Sequence, residues 1–119
     1  MQHFSKLAVW QRSHQLVLEI YRLTRNFPPE ERFGVTSQLR RAAISAPTNI
    51  AEGSKRRQPR DFGHFLNIAE GSLAEVQYLL ILTKDLGYVD EKTANSLAAE
   101  IDEILRMLNS LHARVQSDG

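Results

Sequence analysis

Residues 38–53 read QLRRAAISAPTNIAEG, and the fold turns on whether Pro47 interrupts a helix there or sits inside one. Proline has no backbone N–H and its ring crowds the carbonyl four residues back, a cost of about 3 kcal/mol in a helix interior. Yet Leu39, Ala43, Ala46 and Ile50 recur at helical spacing on both sides of it. No Gly, Asn or Asp cluster precedes Pro47 to make a turn. One helix kinked at Pro47 therefore fits better than two separate helices. Ala42, Ala43, Ser45, Ala46 and Ala51 are small enough to let another backbone come close, which offsets part of the proline penalty.

Working outward, this second helix is expected over about 30–56. Pro29-Glu30-Glu31 supplies the proline and acids of an opening turn, and Gly53 with the polar run SKRRQPRD supplies the end. Before it, a helix over about 5–26 places Leu7, Trp10, His14, Val17, Tyr21 and Thr24 on one stripe, widened by Leu16, Ile20 and Leu23. Phe27-Pro28-Pro29 stops it, because the residue before a proline avoids helical torsions. A third helix over about 60–86 carries Phe62, Leu66, Ala69, Leu73, Val76, Leu80 and Thr83, with Asp61 in its first turn and Gly87 just past its end. A fourth over about 90–116, capped by Asp90, alternates spacings of three and four through Ala94, Leu97, Ile101, Ile104, Leu108, Leu111 and Val115. That is the seam of a bundle helix. No stretch alternates as a strand does. The pattern predicts an all-α protein: residues 1–119 as one antiparallel, up-and-down four-helix bundle.

The 119 residues suffice for a core without staples, and the absence of cysteine excludes disulfides and thiolate metal sites. The N-terminal stretch lacks the apolar segment of a signal peptide, and no apolar run is read as long enough to cross a bilayer. These features suit the cytoplasm.

Catalytic patterns are scarce. The di-iron bundles carry paired Glu-x-x-His motifs, whereas the one acid-x-x-His here is Asp61-Phe62-Gly63-His64, at a helix start. His3, His14, His64 and His112 are scattered, and no serine sits in a Gly-x-Ser-x-Gly setting. His14 reads as a core or interface histidine. Glu100, Asp102 and Glu103 read as a solvated helix face. No enzyme, cofactor, metal or small-molecule substrate is expected.

Charge is more telling. Residues 1–60 hold eleven lysines and arginines against four acids, a net +7; residues 61–119 hold four against ten, a net −6. Such a split marks either a polyanion-binding face or basic and acidic helices that neighbour one another, within or between subunits. The candidate nucleic-acid-binding residues are Lys55, Arg56, Arg57 and Arg60 in the loop joining the second and third helices, with Arg40 and Arg41 earlier on the second. No aromatic interrupts KRRQPR to stack a base. Asn49 and Glu52, beside Pro47, serve either a subunit contact with Arg40 or Arg41 of a neighbour, or local bonds to freed carbonyls and to Lys55 or Arg56.

Several strings resemble one family. Phe-x-x-Leu-x-Val-Trp-Gln at residues 4–11, Phe33-Gly34, Gln38 through Ala43, Pro47 and Asn49-Ile50-Ala51-Glu52-Gly53 carry the likeness. Phe65-Leu66, Ile68-Ala69, Gly71 through Glu75 and Leu86-Gly87-Tyr88 complete it. Together they resemble the bacterial 23S ribosomal RNA intervening-sequence proteins. The resemblance implies a cytosolic bundle that assembles as a homopentamer, without catalytic activity or cofactor, and with a molecular role not assigned. It also implies distant kinship with basic pentameric barrels that bind nucleic acid. The expected partners are further copies of the chain and RNA or another nucleic acid, with no membrane. The competing expectation is a protein-interaction scaffold ring that binds no nucleic acid.

Overall fold

A computed structural model describes residues 3–118, with side chains through Ser117. Four long helices follow one another: α1 (Ala8–Thr24), α2 (Val35–Ser54), α3 (Pro59–Asp85) and α4 (Glu91–Asp118). Short 3-10 turns precede α1 and α2, at Phe4–Lys6 and Pro29–Glu31. The described residues contain no strand. The molecule is 46 × 25 × 20 Å. Cross-helix contacts set the register. Thr24 meets Arg40, Ser45 meets Ser72, Gln38 meets Glu75, Gln77 meets Asp102, and Arg12 meets Met107. Each helix therefore runs opposite to the next, and α4 returns alongside α1.

The fourth helix is built as its spacing predicts. Ala94, Leu97, Ile101, Ile104, Leu108, Leu111 and Val115 are all buried. Each large side chain among them contributes about 1.5–3 kcal/mol of burial. Leu39, Ala43, Ala46 and Ile50 are fully buried too, so α2 keeps one face on the core from end to end. The helix runs on through Pro47, which is itself buried. In the turn before it, Asn49 Nδ2 donates to the Ser45 carbonyl and Thr48 Oγ1 to the Ile44 carbonyl, each at 2.8 Å. These bonds add to the turn around the proline, while the carbonyl that Pro47 leaves without its helical donor is that of Ala43.

Three expectations need correction. The second helix starts at Val35, not near residue 30. Gly34 leaves helical torsions (φ −109°, ψ −118°), and Glu31 folds back so that its carboxylate accepts from the Val35 N–H at 3.4 Å. Pro29-Glu30-Glu31 makes only a 3-10 turn, since a proline and two acids suit any opening turn. The first helix starts at Ala8, because Leu7 is extended. Its core stripe is Val9, Ser13, Leu16, Ile20 and Thr24, while His14 is exposed and stacks on Trp10 at 5.3 Å. Ser13 and Thr24 are buried at no polar cost because their hydroxyls donate to the Val9 and Ile20 carbonyls at 2.8 Å. Finally, α3 is by length and composition apolar enough to cross a bilayer, with a mean hydropathy of 1.2 over its most apolar stretch. Here its Phe62, Leu66, Ala69, Leu73, Val76 and Leu80 are buried in the bundle core instead.

Two glycines position the connections. Gly87, at φ +83°, closes α3 in a left-handed conformation that suits a residue without Cβ. Gly53 lies where a Cβ would come within 2.8 Å of Phe65 Cβ and 3.0 Å of the Phe62 ring. Its missing side chain lets the end of α2 close onto the start of α3.

Candidate nucleic-acid interface

The register places the α2–α3 connection, the start of α1 and the end of α4 at one end of the bundle. Lys55 caps α2, Arg56 and Arg57 follow it, and Arg60 lies in the first turn of α3. All four are exposed. Lys6 before α1 and Arg114 near the end of α4 join them there. Gln116 ties the elements together by donating to the Pro59 carbonyl at 3.0 Å. Arg56 spreads its guanidinium over Phe65, 4.7 Å from the ring centroid, which holds the charge at the surface while its stem covers apolar area.

Neutralisation within the chain is nearly absent. Among the described residues the ion pairs are Lys84–Glu91 at 4.0 Å and Arg106–Glu103 at 2.7 Å. Both lie in the acidic second half. Among these residues no ion pair joins the basic half to the acidic half.

The six candidate cations separate into two kinds. Arg40 is engaged inside the chain: its Nε donates to Thr24 Oγ1 at 2.8 Å and its guanidinium lies 4.4 Å from the Tyr21 ring centroid. It clamps the end of α1 onto α2. Arg41, one residue on and therefore about 100° around the helix, is exposed at the rim of a groove between α2 and α3. That groove holds about 520 Å³ and is lined by Phe33, Gln38, Arg41, Ser45, Ser72 and Glu75. Nothing in the spacing of the sequence announces it, because its walls come from two helices and a loop.

The family model for 23S rRNA-intervening sequence proteins matches residues 5–110. The chain belongs to that family. A solved structure similar to this family member is that of a protein of unknown function from the S23 ribosomal protein family of Bacteroides thetaiotaomicron. The two chains are 26% identical, with a TM-score of 0.78, over 88% of this chain and 98% of the other. No protein of curated function matches in sequence.

In this intervening-sequence protein the residues around Pro47 divide. Asn49 acts locally, its Nδ2 also donating to Ser45 Oγ at 3.0 Å. Glu52 is exposed and makes no ion pair among the described residues, so neither Lys55 nor Arg56 neutralises it. Glu52 also lines a shallow apolar hollow of about 400 Å³ between α1 and α2, with Phe4, Trp10, Val17, Ile44 and Pro47.

One acid departs from the sequence reading. Glu100 is half-buried and faces Glu19 of α1, not bulk water. Burial, followed by a hydrogen bond and the like charge of Glu19, pushes its carboxyl up to about 7, with Arg12 opposing. The hollow on that seam is lined by Glu19 but not by Glu100. Glu103 instead is held below its ordinary value by Arg106. Among the described residues no cluster of His, Asp and Glu could hold a metal ion.

Proposed function

We propose that this chain is a non-enzymatic, self-assembling protein of the cytoplasm, a homopentamer, whose basic end binds the phosphate backbone of RNA. One observation carries the reading: Lys55, Arg57 and Arg60 stand exposed on a single short connection with no acid within ion-pair reach among the described residues. Lysine and arginine clusters left without protein partners suit phosphates, whose bound counterions are released on contact. Arg56, stacked on Phe65, presents its charge at the same surface.

The test is the salt dependence of RNA binding. The Lys55→Ala/Arg57→Ala/Arg60→Ala protein should bind more weakly to every RNA, and its log–log salt slope should fall by about 2, from about 0.7 per phosphate contact on single strands. An unchanged slope would overturn the reading. Native mass spectrometry of protein purified at low salt reads subunit number and retained nucleic acid together.

A second reading is favoured by the apolar hollow between α1 and α2: a protein-interaction ring whose charges serve only contacts between subunits. Under that reading the same triple substitution alters assembly mass and leaves RNA binding absent throughout.

A further inference from the structure

We propose that the groove between α2 and α3 is a stacking site for one unpaired nucleobase that carries an exocyclic amino group, cytosine being the best fit. The proposal rests on the reading of this chain as RNA-binding and adds a site that the basic end lacks, since no free aromatic ring lies within KRRQPR.

Phe33 carries the inference. It is 88% exposed, the most exposed large apolar side chain among the described residues, and it forms one wall of the groove. The Arg32 guanidinium lies 5.2 Å from its ring centroid, which covers part of one face and makes the ring a platform beside a cation. Opposite stand groups that match the rest of a nucleotide. Arg41 has no ion pair among the described residues and offers a guanidinium for a phosphate. Gln38 and Glu75 sit together, the amide donating to the carboxylate at a long 3.4 Å. That contact yields easily to a base edge, with Glu75 accepting from an amino group as carboxylates accept from cytosine N4. Ser45 and Ser72 share a 2.7 Å hydrogen bond at the floor.

The polarity of these walls decides against an apolar side chain from a second copy. Such a side chain would strip water from a guanidinium, a carboxylate, an amide and two hydroxyls and pair none of them. A base edge and its phosphate pair most of them. The spacing also works. Arg41 and Lys55 are fourteen positions apart on α2, about 21 Å along its axis. A single strand of the four or more nucleotides that stacking platforms take would reach both.

The experiment is fluorescence anisotropy with labelled oligo-C and oligo-U strands and an RNA hairpin, against the full-length wild type and single substitutions. Phe33→Ala should weaken oligo-C binding about tenfold to a hundredfold, with the salt slope and hairpin affinity unchanged. Arg41→Ala should lower the single-strand salt slope by about 0.7. Glu75→Ala should erase the preference for oligo-C over oligo-U. Wild-type affinity for oligo-C in Phe33→Ala overturns the proposal, and so does a change of subunit number in that variant, which would make Phe33 a contact between copies. If the triple substitution at the basic end abolishes binding while Phe33→Ala is neutral, the RNA reading stands and the groove falls. If the wild type binds none of the three RNAs, both fall.

Discussion

At the end of the bundle where α1 passes to α2 and α3 to α4, the chain closes on itself. Phe27 packs against Tyr88 with ring centroids 5.5 Å apart, and the Tyr88 hydroxyl donates to Glu31 at 2.9 Å. Asp90 caps α4 by accepting from the Thr93 N–H at 2.7 Å, a bond that holds its carboxyl below the ordinary range. At the opposite end, Lys55, Arg56, Arg57 and Arg60 surround a short connection and make no ion pair among the described residues. Both ends are loops between packed helices. The first is tied by polar contacts between its loops, while the second carries four cations on one connection. Unpaired cations alone do not separate the two ends, since Arg25 and Lys92 at the first are also exposed without an ion pair among the described residues; their crowding onto one connection does.

The largest test strikes the closed end. Phe27 is 7% exposed, and Phe27→Ala should cost about 3–4 kcal/mol in denaturant unfolding through the lost burial and the cavity left behind. A cost below 1 kcal/mol would mean that this end is no more essential to the fold than the other. Next, Gly87→Ala should cost about 1–2 kcal/mol, because a Cβ is strained at φ +83°. Thermal melts against the wild type would show it, and a neutral result would mean the turn relaxes.

The third prediction concerns the α1–α4 seam that joins the two ends. The Glu100 carboxyl stands at about 7 in the folded chain against 4.5 when unfolded, so the folded state binds more protons between those values. Stability should therefore fall as pH rises from about 4.5 to 7 and stay lower above. Glu100→Gln should flatten that slope and stabilise the protein at pH 8 by about 1 kcal/mol, the shift being discounted because water reaches this half-buried group. A variant that melts below the wild type at pH 8 would contradict this account. The smallest effect belongs to the open end. Lys55→Ala/Arg57→Ala/Arg60→Ala should change folding stability by no more than about 0.5 kcal/mol. A larger loss would show that these cations support the fold after all and would dissolve the contrast between the ends.

How much of this was legible in the chain depended on whether one helix or several wrote the pattern. Every core position of α4 could be read from its spacing, because the helix has a single buried face. The first helix misled for the opposite reason. Trp10, Val17 and Tyr21 form a second, half-buried stripe beside the true core stripe, and His14 lies on it. Spacing alone ranks the two stripes equally, and the aromatic one looks stronger. Arg40 and Arg41 were indistinguishable as neighbours in sequence. Only the register of α1, which sets Thr24 and Tyr21 against Arg40, separates a clamp from a free cation. The start of α2 was misplaced because the deciding atom, the Glu31 carboxylate on the Val35 N–H, belongs to tertiary structure.

Gly53 has a consequence for how the open end meets a ligand. With no Cβ to hold them apart, α2 and α3 are pinned together immediately before the connection, close against Phe65 and Phe62. The backbone that bears the four cations is thus short and anchored by packed helices on both sides, while Lys55, Arg57 and Arg60 keep the rotamer freedom of exposed side chains. A polyanion arriving there would have to order those side chains but not the backbone beneath them. Binding at such a connection would be fast to form under electrostatic attraction and tuned chiefly by how quickly it lets go.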